Sequence, residues 1–185
     1  MDDASLPPSE RVRPLLRVRQ VREFTDAPVA RDALDAIADA GRWSGSSQNT
    51  QPWRFVIVTE PATLKRLGEA GLPSTRSLLT ATAAIAICLI EEKGKAVPNA
   101  FDEGRAAERM LIAASLVGVA AGIAWLPSDA RPVGAEVLAL PPERFVRTVL
   151  ALGHPTDAAS EAKSEHGHAR LPREETVFVD RYGSN

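Results

Sequence analysis

A nearly continuous apolar stretch with helical spacing lies in the second half of the chain. It predicts a helix over 102–121, whose apolar face comprises Ala107, Met110, Leu111, Ala114, Val117, Gly118 and Ala121. From Met110 onward only Ser115 interrupts the apolar run, and a helix that is apolar all round has to be buried on all sides. A chain of 185 residues has little interior to spare. We therefore expect a subunit interface along this helix; a central helix within one domain is the alternative.

The other periodic segments alternate between helices and strands. A short helix that passes into an extended exit is predicted at 15–24, and longer helices at 31–42 and 61–70. Strands are predicted at 53–59, 83–90, 143–153 and 177–182. The run "AAIAICLI" at 83–90 is apolar throughout, which is typical of a central strand covered on both faces. Because the order lacks a strict strand–helix–strand rhythm, the α+β class fits best.

Two segments carry no periodic pattern. Residues 1–10 are expected to be loose, and 154–170 is predicted to be a linker to the strand at 177–182. That last strand needs a sheet edge, which in a dimer the partner could supply. No internal repeat divides the chain, so 1–185 is expected to form a single domain.

Composition excludes several classes of function. A net charge of −2 provides no general attraction to nucleic acid or to an anionic membrane. The longest strongly apolar run, 81–90, is too short to span a bilayer. The first ten residues lack the basic start and apolar core of a signal peptide, and the single cysteine, Cys88, excludes an intramolecular disulfide. We therefore expect a protein of the reducing cytoplasm.

A metal site is not predicted. The chain has three histidines, of which His166 and His168 lie close together in the aperiodic tract "EHGHAR". Two ligands in such a tract fall short of the four that a structural zinc site uses.

Three arginines lie within six residues near the start of the chain. Arg17, Arg19 and Arg22, with Gln20 among them, suggest anion binding, because each guanidinium offers a planar fork of donors to phosphate or carboxylate. A solvated basic surface is the alternative. A second basic pair, His168 and Arg170 in "HARLPREE", has the same two interpretations.

The most polar loop is "GSSQNTQPW" at 45–53. Its side chains can simply cap the preceding helix and satisfy the backbone of a turn. Yet the loop is longer than a cap requires, and it presents both donors and acceptors, which suits a heteroaromatic ligand. Trp53 opens the following strand and is expected in the core. Ser46 and Ser47 lack an obvious base, so neither is predicted to be a nucleophile.

These segments together resemble the nitroreductase family of flavin enzymes, from about Leu15 to Gly183. The family's Arg-Arg-Ser-x-Arg-x-Phe segment corresponds to "VRQVREF" at 18–24, and its Pro-Ser-Ser-x-Asn-x-Gln-Pro-Trp segment to "GSSQNTQPW". Its long helix corresponds to "DEGRAAERMLIAASLVGV" at 102–119. A Leu-Pro turn with a strand ending in Gly-x-Pro matches "LPPERFVRTVLALGHP", and a C-terminal basic pair matches "HARLP". Single matches of this kind are weak, but five in the right order are strong.

The resemblance implies a three-layer α+β fold with a mainly antiparallel central sheet, in an intertwined homodimer that binds FMN at the interface. The residues that it assigns to the cofactor are Arg19, Gln20, Arg22, Ser46, Ser47, Asn49, His168 and Arg170. Arg19 and Gln20 would hold the phosphate and ribityl end, with His168 and Arg170 closing on the phosphate. Arg22 would lie by the pyrimidine edge.

The polar loop has a cross-subunit role in this resemblance. Ser46, Ser47 and Asn49 would reach the flavin of the other subunit, and Gln51 would brace the loop.

Several positions depart from the family pattern. Val18 replaces the first arginine of the usual pair, with Arg17 next to it as a substitute, and Gln20 replaces a serine. Gly45 replaces a proline, and His168 stands where a lysine is common. In some members an Asn and a Lys contact the ring system where this chain has Ser74 and Ser77, with Arg76 between them.

The implied activity is a ping-pong oxidoreductase reaction. NAD(P)H would reduce the flavin and leave, and a nitroaromatic, a quinone or a similar small acceptor would then bind. No catalytic side chain is predicted, because the cofactor carries the chemistry. The alternatives are an FMN or deazaflavin enzyme of different chemistry, such as dehalogenation or flavin fragmentation, and a flavin-binding protein without turnover.

Overall fold

Four antiparallel strands form the central sheet of the computed structural model, which describes residues 6–161 and 170–184. The strands are β1 (Trp53–Val58), β2 (Ala83–Ile90), β3 (Ala120–Trp125) and β4 (Arg144–Gly153), in the order β1-β2-β4-β3. The helices are α1 (Pro8–Leu16), α2 (Arg31–Arg42), α3 (Pro61–Ala70), α4 (Ala96–Leu116), α5 (Arg131–Val137), α6 (Asp157–Ser160) and α7 (Arg173–Thr176). Two 3-10 turns lie at Ser47–Asn49 and Arg76–Leu79.

Alternate side chains of β2 divide the core into two layers. Ile85, Ile87 and Leu89 pack into a cluster with residues of α2 and α4, whereas Ala84 and Ala86 pack with residues of α3 and the segment before α5. Strand side chains alternate between faces, so one apolar strand supplies both layers. The sheet is therefore covered by helices on both faces, which confirms the predicted three-layer α+β fold.

Most of the predicted elements are confirmed. The helices predicted at 31–42 and 61–70 have these bounds in the structure, and β2 coincides with the strand predicted at 83–90. Leu34 and Ile37 of α2 are buried, as the helical spacing predicted. Helices in the described part of the chain are all too short or too polar to cross a membrane.

The predicted end of the long helix was wrong. Helix α4 stops at Leu116, and Ala121, which was assigned to the helix, lies in β3. Gly118 adopts a positive φ of 74°, and the Val119 amide donates to the Ala114 carbonyl at 2.9 Å. This is a helix end terminated by glycine. Because Gly118 lies within a nearly continuous apolar run, the sequence does not indicate where the helix ends. Leu116 remains 73% exposed, so the single chain does not bury the helix on all sides.

The segment 177–182, predicted to be a strand, is not a strand in the single chain, and its pairing with a partner subunit stays a prediction. This segment makes a local turn instead, in which the Val179 amide donates to the Ser184 carbonyl and Asp180 has a φ of 62°. A strand forms only against an edge, and here the backbone bonds are satisfied locally. Tyr182 is 93% exposed, so the apolar side chains that suggested a strand lie uncovered.

Part of the segment 1–10, which was expected to be loose, is helical in the described residues. Helix α1 begins at Pro8, a residue whose fixed φ suits the first turn of a helix. The predicted linker likewise contains a short helix, α6, whose first turn is capped by the Thr156 hydroxyl.

Candidate functional site

The arginine-containing segment 18–24 lies along the outer edge of β3. The Val21 amide donates to the Ala121 carbonyl at 2.8 Å, and the Gln20 Oε1 accepts from the Ile123 amide at 3.1 Å. Gly122 permits this approach, because a Cβ there would lie only 2.1 Å from the Val21 oxygen. The backbone of β3 therefore fixes the position from which the arginines project.

Arg17 and Arg19 line a cavity of about 220 Å³ beside the C-terminal half of α4. The cavity is completed by mainly apolar residues and by Ser115. The Arg19 guanidinium donates to the carbonyls of Ala159 and Glu161 at 3.1 and 2.7 Å, and also to that of Ser160, so it holds the end of α6. Within the described ranges, the side chains of Arg17 and Arg22 form no hydrogen bond or ion pair.

The polar loop at 45–51 has a strained backbone. Gln48, Asn49 and Gln51 all have positive φ, at 51°, 56° and 47°. Asparagine tolerates this region because its short side chain can bond locally, whereas glutamine rarely adopts it. Such a conformation persists only where the surrounding structure enforces it.

Hydrogen bonds within the loop and to α4 provide that enforcement. The Ser47 amide donates to the Asp102 carboxylate at 2.9 Å, and the Gln51 amide donates to the Ser46 hydroxyl at 2.9 Å. The Gln51 side chain donates to the Asn49 Oδ1 at 3.1 Å. Gln51 thus braces the loop, as predicted.

The start of the loop and the segment before it are also docked on α4. The Arg109 guanidinium donates to the Trp43 carbonyl at 2.7 Å. At Gly45 a Cβ would lie 2.5 Å from an Arg105 Nη, so the side chain of Arg105 occupies the space that a larger residue would need. The loop and the helix therefore form one packed unit.

The assigned residues fall into two groups at opposite ends of α4. Asp102, under the loop, and Ser115, in the arginine cavity, are thirteen positions apart, which corresponds to about 20 Å along a helix. Arg19, Gln20 and Arg22 therefore lie together at one end, with Ser46, Ser47 and Asn49 at the other. Arg170 begins the exposed C-terminal segment, and His168 lies outside the described residues.

Similarity to known proteins identifies the family of this chain. A family model described as "Nitroreductase family" matches residues 17–81. A protein of Archaeoglobus fulgidus, named for NADH dehydrogenase or NAD(P)H nitroreductase activity, is 30% identical over 84% of this chain and 92% of its own length. The chain belongs to the nitroreductase family.

Further relatives agree with this assignment. An FMN reductase [NAD(P)H] of Bacillus subtilis is 26% identical over 94% of this chain and 75% of its own length. The structure of an FMN-dependent nitroreductase from Clostridium difficile covers 91% of this chain and 98% of its own, with 21% identity and a TM-score of 0.79. That likeness shows that the fold is the nitroreductase fold.

Ser74, Arg76 and Ser77, which lie where some nitroreductases have an Asn and a Lys before the second strand, differ in their exposure. Ser77 is buried, with 4% of its surface exposed, so it faces the core. Ser74 and Arg76 are exposed, and the Ser74 carbonyl accepts from the Trp125 amide at 3.3 Å.

The sequence analysis missed the residues of α4 that hold the polar loop at 45–51. Asp102 is only 1% exposed although it carries a carboxylate, and Arg105 and Arg109 dock the preceding segment. One signal was available: Asp102 stands four positions before Ala106 and eight before Met110, on the buried face. A carboxylate on an apolar face is expected to have a fixed partner.

Cys88 is not a candidate nucleophile. Burial raises the pKa of its thiol to about 11, with an opposing contribution from Arg144. The thiol therefore stays protonated at neutral pH, and only the thiolate is reactive.

Proposed function

We propose that the chain is an NAD(P)H-dependent FMN oxidoreductase that reduces nitroaromatics, quinones or similar small acceptors. Family membership supports this, as do the relatives named for FMN and NAD(P)H. The observation that carries it in this molecule is the cavity beside α4, which Arg17 and Arg19 both line. When bound, FMN supplies the redox chemistry, and no catalytic side chain is required.

The donors of the cavity fit a phosphate group. Guanidinium groups bind phosphate through charge-assisted hydrogen bonds, and a hydroxyl adds a further donor. Arg19 already donates to the carbonyls at the end of α6, whereas Arg17 makes no such bond in the part of the chain that the structure describes. Arg17 is thus the main phosphate ligand in this proposal and takes the role of the arginine that Val18 replaces.

Gln20 fits the adjoining polar end of the cofactor. Its Oε1 is engaged by the Ile123 amide at 3.1 Å, which fixes the direction of the side chain. The Nε2 group remains as the donor for the phosphate or ribityl end. Arg170 and His168 stay predicted phosphate ligands.

The size of the cavity supports a site that two copies share. Its volume of about 220 Å³ is below the roughly 300–1,000 Å³ of typical ligand pockets. In our proposal one copy supplies the arginine segment, and the partner copy supplies Ser46, Ser47 and Asn49. The separation of about 20 Å along α4 between the two groups agrees with this division.

Helix α4 also offers the surface for a homodimer. Val97, Phe101 and Leu116 are exposed by 80%, 69% and 73%. A more open cavity of about 580 Å³ lies along this face, lined in part by Phe101, Gly104 and Arg105. Exposed apolar area of this kind marks an interaction site, and we propose a second copy of the chain as its occupant.

Arg22 has a different role from Arg17 and Arg19. In the proposal it lies by the pyrimidine edge of the isoalloxazine ring, where a cation stabilises the negative charge of the reduced cofactor. Its side chain is exposed and, among the described residues, has no carboxylate partner that would neutralise it. A cytoplasmic location, where NAD(P)H is available, completes the proposal.

Visible spectroscopy of the purified full-length chain tests the function. We expect a yellow protein with flavin absorbance, or a colourless one that takes up added FMN stoichiometrically. Anaerobic NAD(P)H should bleach this absorbance, and a nitroaromatic or quinone should restore it. Failure to bind FMN would contradict the proposal, and FMN that binds but is not bleached would favour a flavin-binding protein without turnover.

A further inference from the structure

The Asp102 carboxylate makes the one side-chain hydrogen bond that joins the polar loop at 45–51 to the buried face of α4 in the described structure. Its Oδ2 accepts the Ser47 amide at 2.9 Å, and its Oδ1 lies 3.8 Å from an Arg105 Nη. The side chain is 2% exposed. Charged groups are almost never buried to this extent unless a partner holds them.

Asp102 binds the loop directly before the residues whose backbone is strained. Ser47 directly precedes Gln48, the first of the residues with positive φ. The Ser47 carbonyl accepts from the Thr50 amide at 3.0 Å, so the residue held by Asp102 also closes the turn. Fixing Ser47 therefore fixes the turn that presents Asn49.

We propose that Asp102 is a positioning residue that holds the loop in its flavin-contacting conformation before the cofactor binds. The inference rests on the proposed function for what the loop contacts, but the anchoring itself is a property of the chain alone. Preorganised polar groups bind a ligand without first losing conformational freedom.

A purely structural role for Asp102 makes a different prediction. The residue lies in the second turn of α4, which begins at Ala96, so it does not cap the helix. If it served only the core, its loss would lower global stability without selectively loosening residues 47–51.

Asn99 provides the matched control. It lies three positions earlier on the same helix, is 7% exposed, and donates through Nδ2 to the Ile90 carbonyl at 3.4 Å. Asn99→Leu and Asp102→Leu thus replace buried polar groups of similar size with the same apolar side chain. Asn99 makes no hydrogen bond to the loop within the described ranges.

Amide hydrogen exchange on the full-length protein, freed of FMN, is the first measurement. Loss of a charge-assisted hydrogen bond should speed exchange of the Ser47, Thr50 and Gln51 amides about 10- to 100-fold in Asp102→Leu. Asn99→Leu should leave the exchange rates of these amides unchanged, even if both variants lower the melting temperature by the same amount. Equal exchange of the loop in the two variants would overturn the proposal.

Asp102→Asn retains a hydrogen-bond acceptor, and this variant tests the proposal if Asp102→Leu does not fold. Because neutral hydrogen bonds are about half as strong as charge-assisted ones, loop exchange should rise about 3- to 10-fold. An unchanged rate in Asp102→Asn would overturn the proposal.

FMN titration and the flavin absorbance spectrum form the second measurement. Asp102→Leu should weaken FMN binding about 10- to 100-fold and shift the bound absorbance bands, while Asn99→Leu leaves the bands in place. Faster loop exchange together with unchanged FMN affinity and spectrum would overturn the flavin-positioning role. If the wild-type chain binds no FMN, the proposed function fails, and the exchange result still decides the anchoring.

Discussion

The two halves of the proposed site are built in different ways. The arginine segment is held by backbone contact with β3, and its guanidinium groups project from that frame on long side chains. The polar loop has the opposite construction: its backbone is strained, and a buried carboxylate fixes it through Ser47. One half supplies charge on adaptable side chains, and the other supplies short, preorganised polar groups. Substitutions should therefore affect binding strength at one end and geometry at the other.

The largest effect is expected where the arginine segment meets β3. Gly122→Val would force the segment away, because a Cβ there lies 2.1 Å from the Val21 oxygen. We expect a loss of about 3 kcal/mol in unfolding free energy, at the upper end of the overpacking range, and no detectable FMN binding. Thermal melts and FMN titration check this.

Ile123→Val, on the same strand, is the control for Gly122→Val and should cost about 1 kcal/mol with FMN affinity retained. Normal FMN binding by Gly122→Val would show that the segment does not depend on β3.

The two arginines of the cavity should separate binding from stability. Arg17→Ala should weaken FMN binding about 10- to 100-fold with little change in melting temperature, because the side chain holds only the ligand. Arg19→Ala should also lower the melting temperature, because it removes the donors to the carbonyls of α6. Titrations at two salt concentrations and thermal melts measure both effects. A larger decrease in melting temperature for Arg17→Ala than for Arg19→Ala would contradict these roles of the two arginines.

Arg22 should act on the potential rather than on affinity. Arg22→Ala removes the cation by the pyrimidine edge, so the midpoint potential of bound FMN should fall and reduction by NAD(P)H should slow about tenfold, equivalent to about 1.4 kcal/mol. FMN affinity should change less than in Arg17→Ala. Redox titration and stopped-flow absorbance test this, and an unchanged potential would refute the role.

The smallest effect is expected in the loop at Gly45. Gly45→Ala places a Cβ 2.5 Å from an Arg105 Nη, at the end of a flexible side chain that is 45% exposed. We expect a cost of about 1 kcal/mol that largely disappears in the double variant with Arg105→Ala. Additive effects in this double-mutant cycle, measured by thermal melts, would show that the two positions do not interact.

Local signals in the sequence predicted much of the fold. The spacing of Leu34 and Ile37 located α2, and the uninterrupted apolar run located β2, because each pattern depends only on neighbouring residues. The end of α4 escaped prediction because Gly118 lies among apolar residues that suit a helix or a strand equally. The segment 177–182 is not a strand in the single chain, because an extended segment needs a sheet edge, which the chain alone does not supply there; pairing with a partner stays a prediction.

The site was predictable only in part. The cofactor residues come from the family pattern and stay predictions, whereas the bracing role of Gln51, from the same pattern, agrees with its hydrogen bond to Asn49. The contact between Ser47 and Asp102 joins residues 55 positions apart, and no local pattern reports such a pair. The close approach of Val21 to Gly122 likewise depends on tertiary packing.

Mixed dimers test most directly whether the site is shared between two copies. Chains carrying Arg17→Ala and Asp102→Leu are co-expressed with different affinity tags, and the heterodimer is isolated by two purification steps. If two copies share each site, one site of the heterodimer carries both substitutions. The other site combines the intact arginine segment of the Asp102→Leu chain with the intact loop of the Arg17→Ala chain. We predict one FMN bound per heterodimer with wild-type affinity, while neither homodimer binds tightly. A heterodimer without a tight site would contradict it.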